Sequence, residues 1–160
     1  MSAWGYVAHV KQLIRDLAAV PDLIAALAAG HDNRQLTSRP DPNTWSASDV
    51  LAHLRSCAEV RGKWIAAMLD RDHPTIRAVS PRSAFRKYVD RDFGQSLKEF
   101  AAERAGLVER LQGLDDTGWA RGLTFTGASP RRTEQSVVRC ATDLLEHERI
   151  HLEQIKQALG

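Results

Sequence analysis

The chain has 160 residues, with 22 Lys and Arg against 20 Asp and Glu and a formal charge of +2. That length predicts one domain spanning 1–160, able to bury about two thirds of its unfolded surface without covalent staples. The interleaved, nearly balanced charges argue against nucleic acid as a partner, and no run approaches the roughly 18 apolar residues of a membrane helix, so a cytoplasmic, soluble protein is expected.

Four long segments carry a helical period and none shows the strict alternation of a half-buried strand, so the class is all-α. The N-terminal stretch MSAWGYVAHVKQLIRD lacks a basic region followed by an apolar core and does not read as a signal peptide. Instead it opens the first helix, about Trp4 to Ala29, with Tyr6, Leu13, Leu17, Val20, Ile24 and Leu27 on one arc. Pro21 should kink or interrupt it, because it removes one backbone bond. The polar run GHDNRQLTSRPDPNT that follows has no apolar period and reads as a connection.

Ser46 then begins the second helix as N-cap, with Asp49 three residues on as its reciprocal partner and Trp45 packing back on Val50. This helix should run from Ala47 to about Leu69. The stretch Arg71 to Asp92, with two prolines and many arginines, reads as a long crossover. The third helix, about Phe93 to Gln112, turns Phe93, Leu97, Phe100, Leu107 and Leu111 inward, with Arg104 unexpectedly among them. Arg104 either snorkels, pairs with Glu148 of the last helix, or holds an anionic substrate. Gly113 to Arg132 is rich in turn formers and forms either a lid over one end of a bundle or a surface connection anchored by Trp119 and Phe125. The last helix should begin near Pro130 or Thr133 and run almost to Gly160.

HERIH at 147 to 151 is the richest motif, since residues four apart on a helix are neighbours and can share a ligand. His147 and His151 lie on the apolar arc with Val137, Cys140, Ala141, Leu144 and Ile155, opposite Glu146, Arg149, Glu153 and Lys156. On the second helix His53 shares its arc with Val50, Ser56, Cys57, Val60 and Trp64, while Arg55 is opposite. Two helices thus present three imidazoles to one interior. A single inward histidine is ordinarily a hydrogen-bonded core residue, but three would each need a partner, and one divalent ion satisfies all of them. His9 lies on the first helix's inner arc and is either a further ligand or a core residue. Cys57 and Cys140, on inner faces, read as small apolar residues in a reducing compartment.

TWSASDVLAHL at 44 to 54 and DLLEHERIHLEQIKQAL at 143 to 159 resemble the two signatures of the DinB-like superfamily, and the likeness extends over essentially the whole chain. The resemblance implies a four-helix bundle with a long crossover between helices 2 and 3, often a homodimer. It also implies a three-histidine metal site, carried here by His53, His147 and His151, the same residues that helical geometry selects. Activities in the family include metal-dependent transfer of low-molecular-weight thiols such as bacillithiol or mycothiol, isomerisation and hydrolysis.

Three imidazoles leave a divalent ion with an open position, as in catalytic sites. Zinc or nickel is expected, though imidazole suits several metals. The leading expectation is an S-transferase acting on a small-molecule substrate, in which the metal holds a cofactor thiol as its thiolate. Arg82 and Arg86 of the crossover either anchor that cofactor's carboxylates or belong to a solvated loop. Asp49 and Asp143, each four residues before a histidine, are candidates to orient the rings, although Asp49 already serves as capping acid and Asp143 lies off the face. The alternatives are a metal-dependent hydrolase with Glu148 as general base, and a non-enzymatic metal-binding stress protein.

Overall fold

The computed structural model describes residues 3–39, 41–127 and 133–160. Four long helices form the bundle: α1 (Ala3–Ala28), α3 (Ala47–Asp70), α5 (Phe93–Gln112) and α7 (Val137–Leu159). Among these four, α3 packs on α7 and less extensively on α5, and α1 packs on the same two, so α1 and α3 face each other across one diagonal and α5 and α7 across the other. The interior is closed by Leu13, Leu17 and Ile24 from α1, Leu51, Leu54 and Ile65 from α3, Phe100 and Leu111 from α5, and Leu144 and Ile155 from α7. No helix among the described residues is long and apolar enough to cross a membrane.

Helix α3 starts where its cap dictates. The Ser46 side chain accepts from the Asp49 backbone N–H, and the Asp49 carboxylate accepts from the Ser46 N–H at 3.0 Å, which satisfies two donors that the first turn would otherwise orphan. Arg39 adds a two-pronged contact to the same carboxylate, and burial notwithstanding, these bonds hold Asp49 below the ordinary carboxylate range. A second capping box, Asp32 with Gln35, nucleates the short helix α2 (Asn33–Thr37) inside the stretch expected to be a plain connection.

Helix α1 passes through Pro21 uninterrupted. Proline at this position cannot donate to the carbonyl of Leu17, four residues earlier, and Leu17 is fully buried. Arg104 of α5 supplies the missing donor, its Nη1 lying 3.1 Å from the Leu17 carbonyl oxygen. The vacancy left by one residue type is thus filled from another helix, which is why the expected interruption does not occur.

The all-α expectation holds for the bundle and needs one correction outside it. The two segments read as connections, together with the first residues of the expected last helix, contribute a three-stranded sheet: β1 (Thr75–Arg77) runs parallel to β2 (Gly122–Thr126), and β2 is antiparallel to β3 (Thr133–Ser136). Strands of three to five residues are too short to display an alternation, and the β1–β2 pairing joins segments far apart in the chain, so no local pattern announces it. Gly122 is required within the sheet, because a Cβ there would meet the Gln135 carbonyl oxygen at 2.9 Å.

The crossover also holds a one-turn helix, α4 (Arg82–Phe85). Residues 113–127 are a packed connection, with Trp119 buried in the helix α6 (Asp116–Ala120) and Phe125 edge-on to Trp64 at 4.7 Å. Of the two expected starts for α7, Pro130 lies outside the described residues and Thr133 belongs to β3. The helix begins after Ser136, whose side chain accepts from the Arg139 N–H, because the residues before it are held extended by pairing with β2.

Candidate metal centre

His53 from α3 meets His147 and His151 from α7, and one ligand nitrogen from each lies within 4.8 Å of the other two. The ring centroids are 5.1, 4.6 and 4.5 Å apart, with the rings edge to face. The Nε2 atoms of His53 and His147 are 3.0 Å apart. Two donors about 2.0–2.1 Å from one ion, at angles of about 90–110°, are separated by roughly 2.9–3.4 Å, so this pair has the spacing of two ligands on a common metal.

Burial first, and then the positive charges of His151 and Arg61, push both His53 and His147 down to about pKa 4. Both rings are therefore neutral at physiological pH, the state in which imidazole coordinates a metal. The unfolded chain takes up these two protons near pH 6.5, whereas the folded chain does not until about pH 4. Stability of the metal-free protein should therefore be complete above pH 6.5 and fall as the pH is lowered to about 4. Urea midpoints measured between pH 7 and pH 4 test this, with a shallower slope expected for His147→Gln; equal slopes in the two proteins would refute it.

His151 is oriented by Gln154, whose Oε1 lies 2.7 Å from its Nδ1. A carbonyl oxygen accepts only, so Nδ1 carries the proton and Nε2 is left with its lone pair. Gln154→Leu should weaken metal binding about 10–100-fold while leaving the three ligands in place. Competition titration against a chromophoric chelator checks it, and unchanged affinity would show that the bond orients nothing. Neither Asp49 nor Asp143 performs this role: Asp49 is occupied by Ser46 and Arg39, and Asp143 accepts from Gln135.

Trp45 does more than staple the helix start. It lies tilted against His53 at 5.0 Å, stacks near His151 at 6.3 Å, and stacks on Phe85 of α4 at 5.8 Å. The expected cofactor anchors Arg82 and Arg86 flank Phe85, are exposed, and make no ion pair among the described residues. Cys57, one turn after His53, puts its Sγ 3.4 Å from His147 Nε2 and 3.6 Å from His53 Nε2. Its place on the arc of His53 was legible as spacing, but the packing of α7 against that arc was not.

Two further candidates, Glu148 and Arg104, are brought to each other. Arg104 Nη1 is 2.9 Å from Glu148 Oε2, and its Nη2 also bonds Oε1, a two-pronged pair in the middle of the bundle. Neither makes a hydrogen bond to the histidines. His9 is exposed and apart from the cluster: the buried stripe of α1 runs through Val10, Leu13, Leu17 and Val20, centred about 60° away from it. Arg55, opposite His53 on the helical wheel, is buried, bonding Glu99 and Glu103 of α5 at 2.8 Å each and lying 4.3 Å over the Tyr88 ring. Helix α3 is covered on two sides, so the side away from the histidines is a second interface.

Comparison with curated protein sequences gives no match. Among solved structures, YfiT from Bacillus subtilis superposes with a TM-score of 0.81 at 17% sequence identity, over 99% of this chain and 87% of that one. That protein is described as a probable metal-dependent hydrolase with an unusual four-helix bundle topology. The likeness extends to the bundle as a whole, and the profile of the DinB superfamily matches residues 16–155. With all three histidines inside that match, the chain belongs to the DinB superfamily.

Proposed function

We propose that this chain is a divalent-metal-dependent enzyme for a small-molecule substrate, in which His53, His147 and His151 hold one zinc or nickel ion and a low-molecular-weight thiol is transferred to an electrophile. The observation that carries the reading is the cluster of three imidazole donors, all within 4.8 Å of one another. Structural zinc is normally closed by four protein ligands, whereas catalytic sites use three and leave a position for a reactant. An ion held in this way lowers the pKa of a thiol or water that reaches the remaining position.

The chain's own residues supply binding and exclusion. Trp45 and Phe85 cover one side of the rings and limit the approach of water. Arg82 and Arg86, on either side of Phe85 and free of ion pairs among the described residues, suit the carboxylates of a thiol cofactor. Glu148 and Arg104 act as positioning residues, tying α7 to α5 so that both histidines keep their direction.

Hydrolysis is the second reading, favoured by the fold likeness to a protein described as a probable metal-dependent hydrolase. Glu148 would be the general base in that case and would first have to leave Arg104. The test begins with elemental analysis of the untagged protein beside His151→Ala. Near-stoichiometric metal in the first and its loss in the second is the expected result. Turnover of electrophiles that requires added thiol separates transfer from hydrolysis, and metal binding without either activity would favour a non-enzymatic metal-binding protein. Absence of metal after reconstitution with zinc and nickel would overturn the proposal.

A further inference from the structure

Among the groups that the proposed function does not use, Cys57 is the one whose surroundings point to a ligand. Its Sγ lies 3.4 Å from His147 Nε2 and 3.6 Å from His53 Nε2, and those two nitrogens lie 3.0 Å apart. The three separations can be compared with what a shared ion demands. A thiolate sulfur about 2.3 Å from zinc and an imidazole nitrogen about 2.0–2.1 Å from it, in a tetrahedral array, are roughly 3.5–3.6 Å apart. The sulfur therefore stands from both nitrogens at the separation expected of a fellow ligand. His53 and Cys57 occupy positions i and i+4 of α3, as His147 and His151 do on α7, so each helix offers two donors one turn apart.

We propose that Cys57 is a sulfur ligand of the resting metal centre, entering beside His53 and His147 and moving towards His151 as the ion binds, since the group lying mutually within 4.8 Å is the three histidines. This rests on the metal reading above and refines its resting state: the sulfur holds the position that an incoming thiol or water would take, the metal–Cys57 bond breaking as the new bond forms and the incoming group's proton passing to the released Cys57 sulfur. Coordination forms one metal–sulfur bond, and the thiol proton passes to solvent; no electron is transferred. A thiolate beside three imidazoles also narrows the choice of ion, because sulfur with nitrogen in a tetrahedral array favours zinc, and cobalt as its spectroscopic substitute, over nickel or magnesium. Cys140, the other thiol, is buried two turns before His147 with its Sγ 3.9 Å from the Arg61 carbonyl oxygen, and it serves as the internal control.

The experiment is reconstitution of the full chain with cobalt(II), read by absorption spectroscopy. The expected result is a near-ultraviolet sulfur-to-cobalt charge-transfer band together with the visible bands of tetrahedral cobalt. Cys57→Ser should lose the charge-transfer band and keep bound cobalt, and Cys140→Ala should keep both. Visible bands with no charge transfer in the wild type would overturn the sulfur ligand and leave the three-histidine site standing. A charge-transfer band that depends on Cys140 would overturn it equally. No cobalt binding at all would overturn both the ligand and the metal reading. Should the serine variant fail to fold, X-ray absorption of the zinc-loaded wild type decides: one sulfur neighbour at about 2.3 Å supports the proposal, and nitrogen or oxygen neighbours alone refute it.

Discussion

Arg104→Met is expected to lower the folding stability by about 3–5 kcal/mol, the usual cost of removing one partner of a buried ion pair. Arg104 and Glu148 are almost wholly inaccessible, with side-chain exposures of 2% and 0%. Losing the guanidinium leaves a carboxylate in the interior without its counter-charge. It also leaves the Leu17 carbonyl, already deprived of its helical donor by Pro21, without the Nη1 contact at 3.1 Å. The two losses arise at one place and act together. The double replacement Arg104→Met with Glu148→Leu should recover the part of the deficit that comes from the unpaired charge, while the Leu17 carbonyl still lacks its donor. Urea denaturation of the three proteins at pH 7 checks both statements. A deficit below about 1 kcal/mol for the single variant, in the range of an exposed pair, would mean that water reaches the bundle centre.

Removing the metal should lower the melting temperature by about 5–11 °C relative to protein held at a free metal concentration one hundred times its dissociation constant. The figure combines about 2.7 kcal/mol of linkage stabilisation with roughly 2–4 °C per kcal/mol for a chain of this size. The ligands come from α3 and α7, which pack directly on each other, so an ion shared by His53, His147 and His151 ties two elements that the unfolded chain keeps about 94 residues apart in sequence. His147→Ala should melt at the same temperature with and without metal. A variant that still gains several degrees from zinc would show that the ion stabilises the fold from somewhere else. Calorimetry with a chelator on one side and a metal buffer on the other gives the comparison.

Much of the bundle was legible in the residues. Ser46 and Asp49 specified the start of α3, and the period of Phe93, Leu97, Phe100, Leu107 and Leu111 specified α5 over Phe93–Gln112. The histidine triad followed from the same arithmetic, because a wheel reports which side chains share a face regardless of what lies opposite. Even the Arg104–Glu148 pair was foreseeable as one of three readings, each being a charge on an apolar arc.

Which neighbour covers each face was decided only by the tertiary structure. Arg55 lay opposite the histidine arc, and the wheel does not say what covers that side; α5 lies there with Glu99 and Glu103 to receive it. His9 sat within the wheel's tolerance of the inner arc, but the bundle buried the stripe beginning at Val10. Cys57, Gln154 and Trp45 acquired their places beside the histidine cluster from the docking of α7 and of the Trp45 turn against α3. The β1–β2 pairing and the donor that Arg104 lends to the carbonyl exposed by Pro21 are likewise contacts between distant segments. The sequence by itself determined the four long helices, the cap of α3 and the shared face of His53, His147 and His151, since these depend on interactions within one or two turns. The partners on those faces depend on how whole elements pack, and that is settled by burial summed over the entire chain.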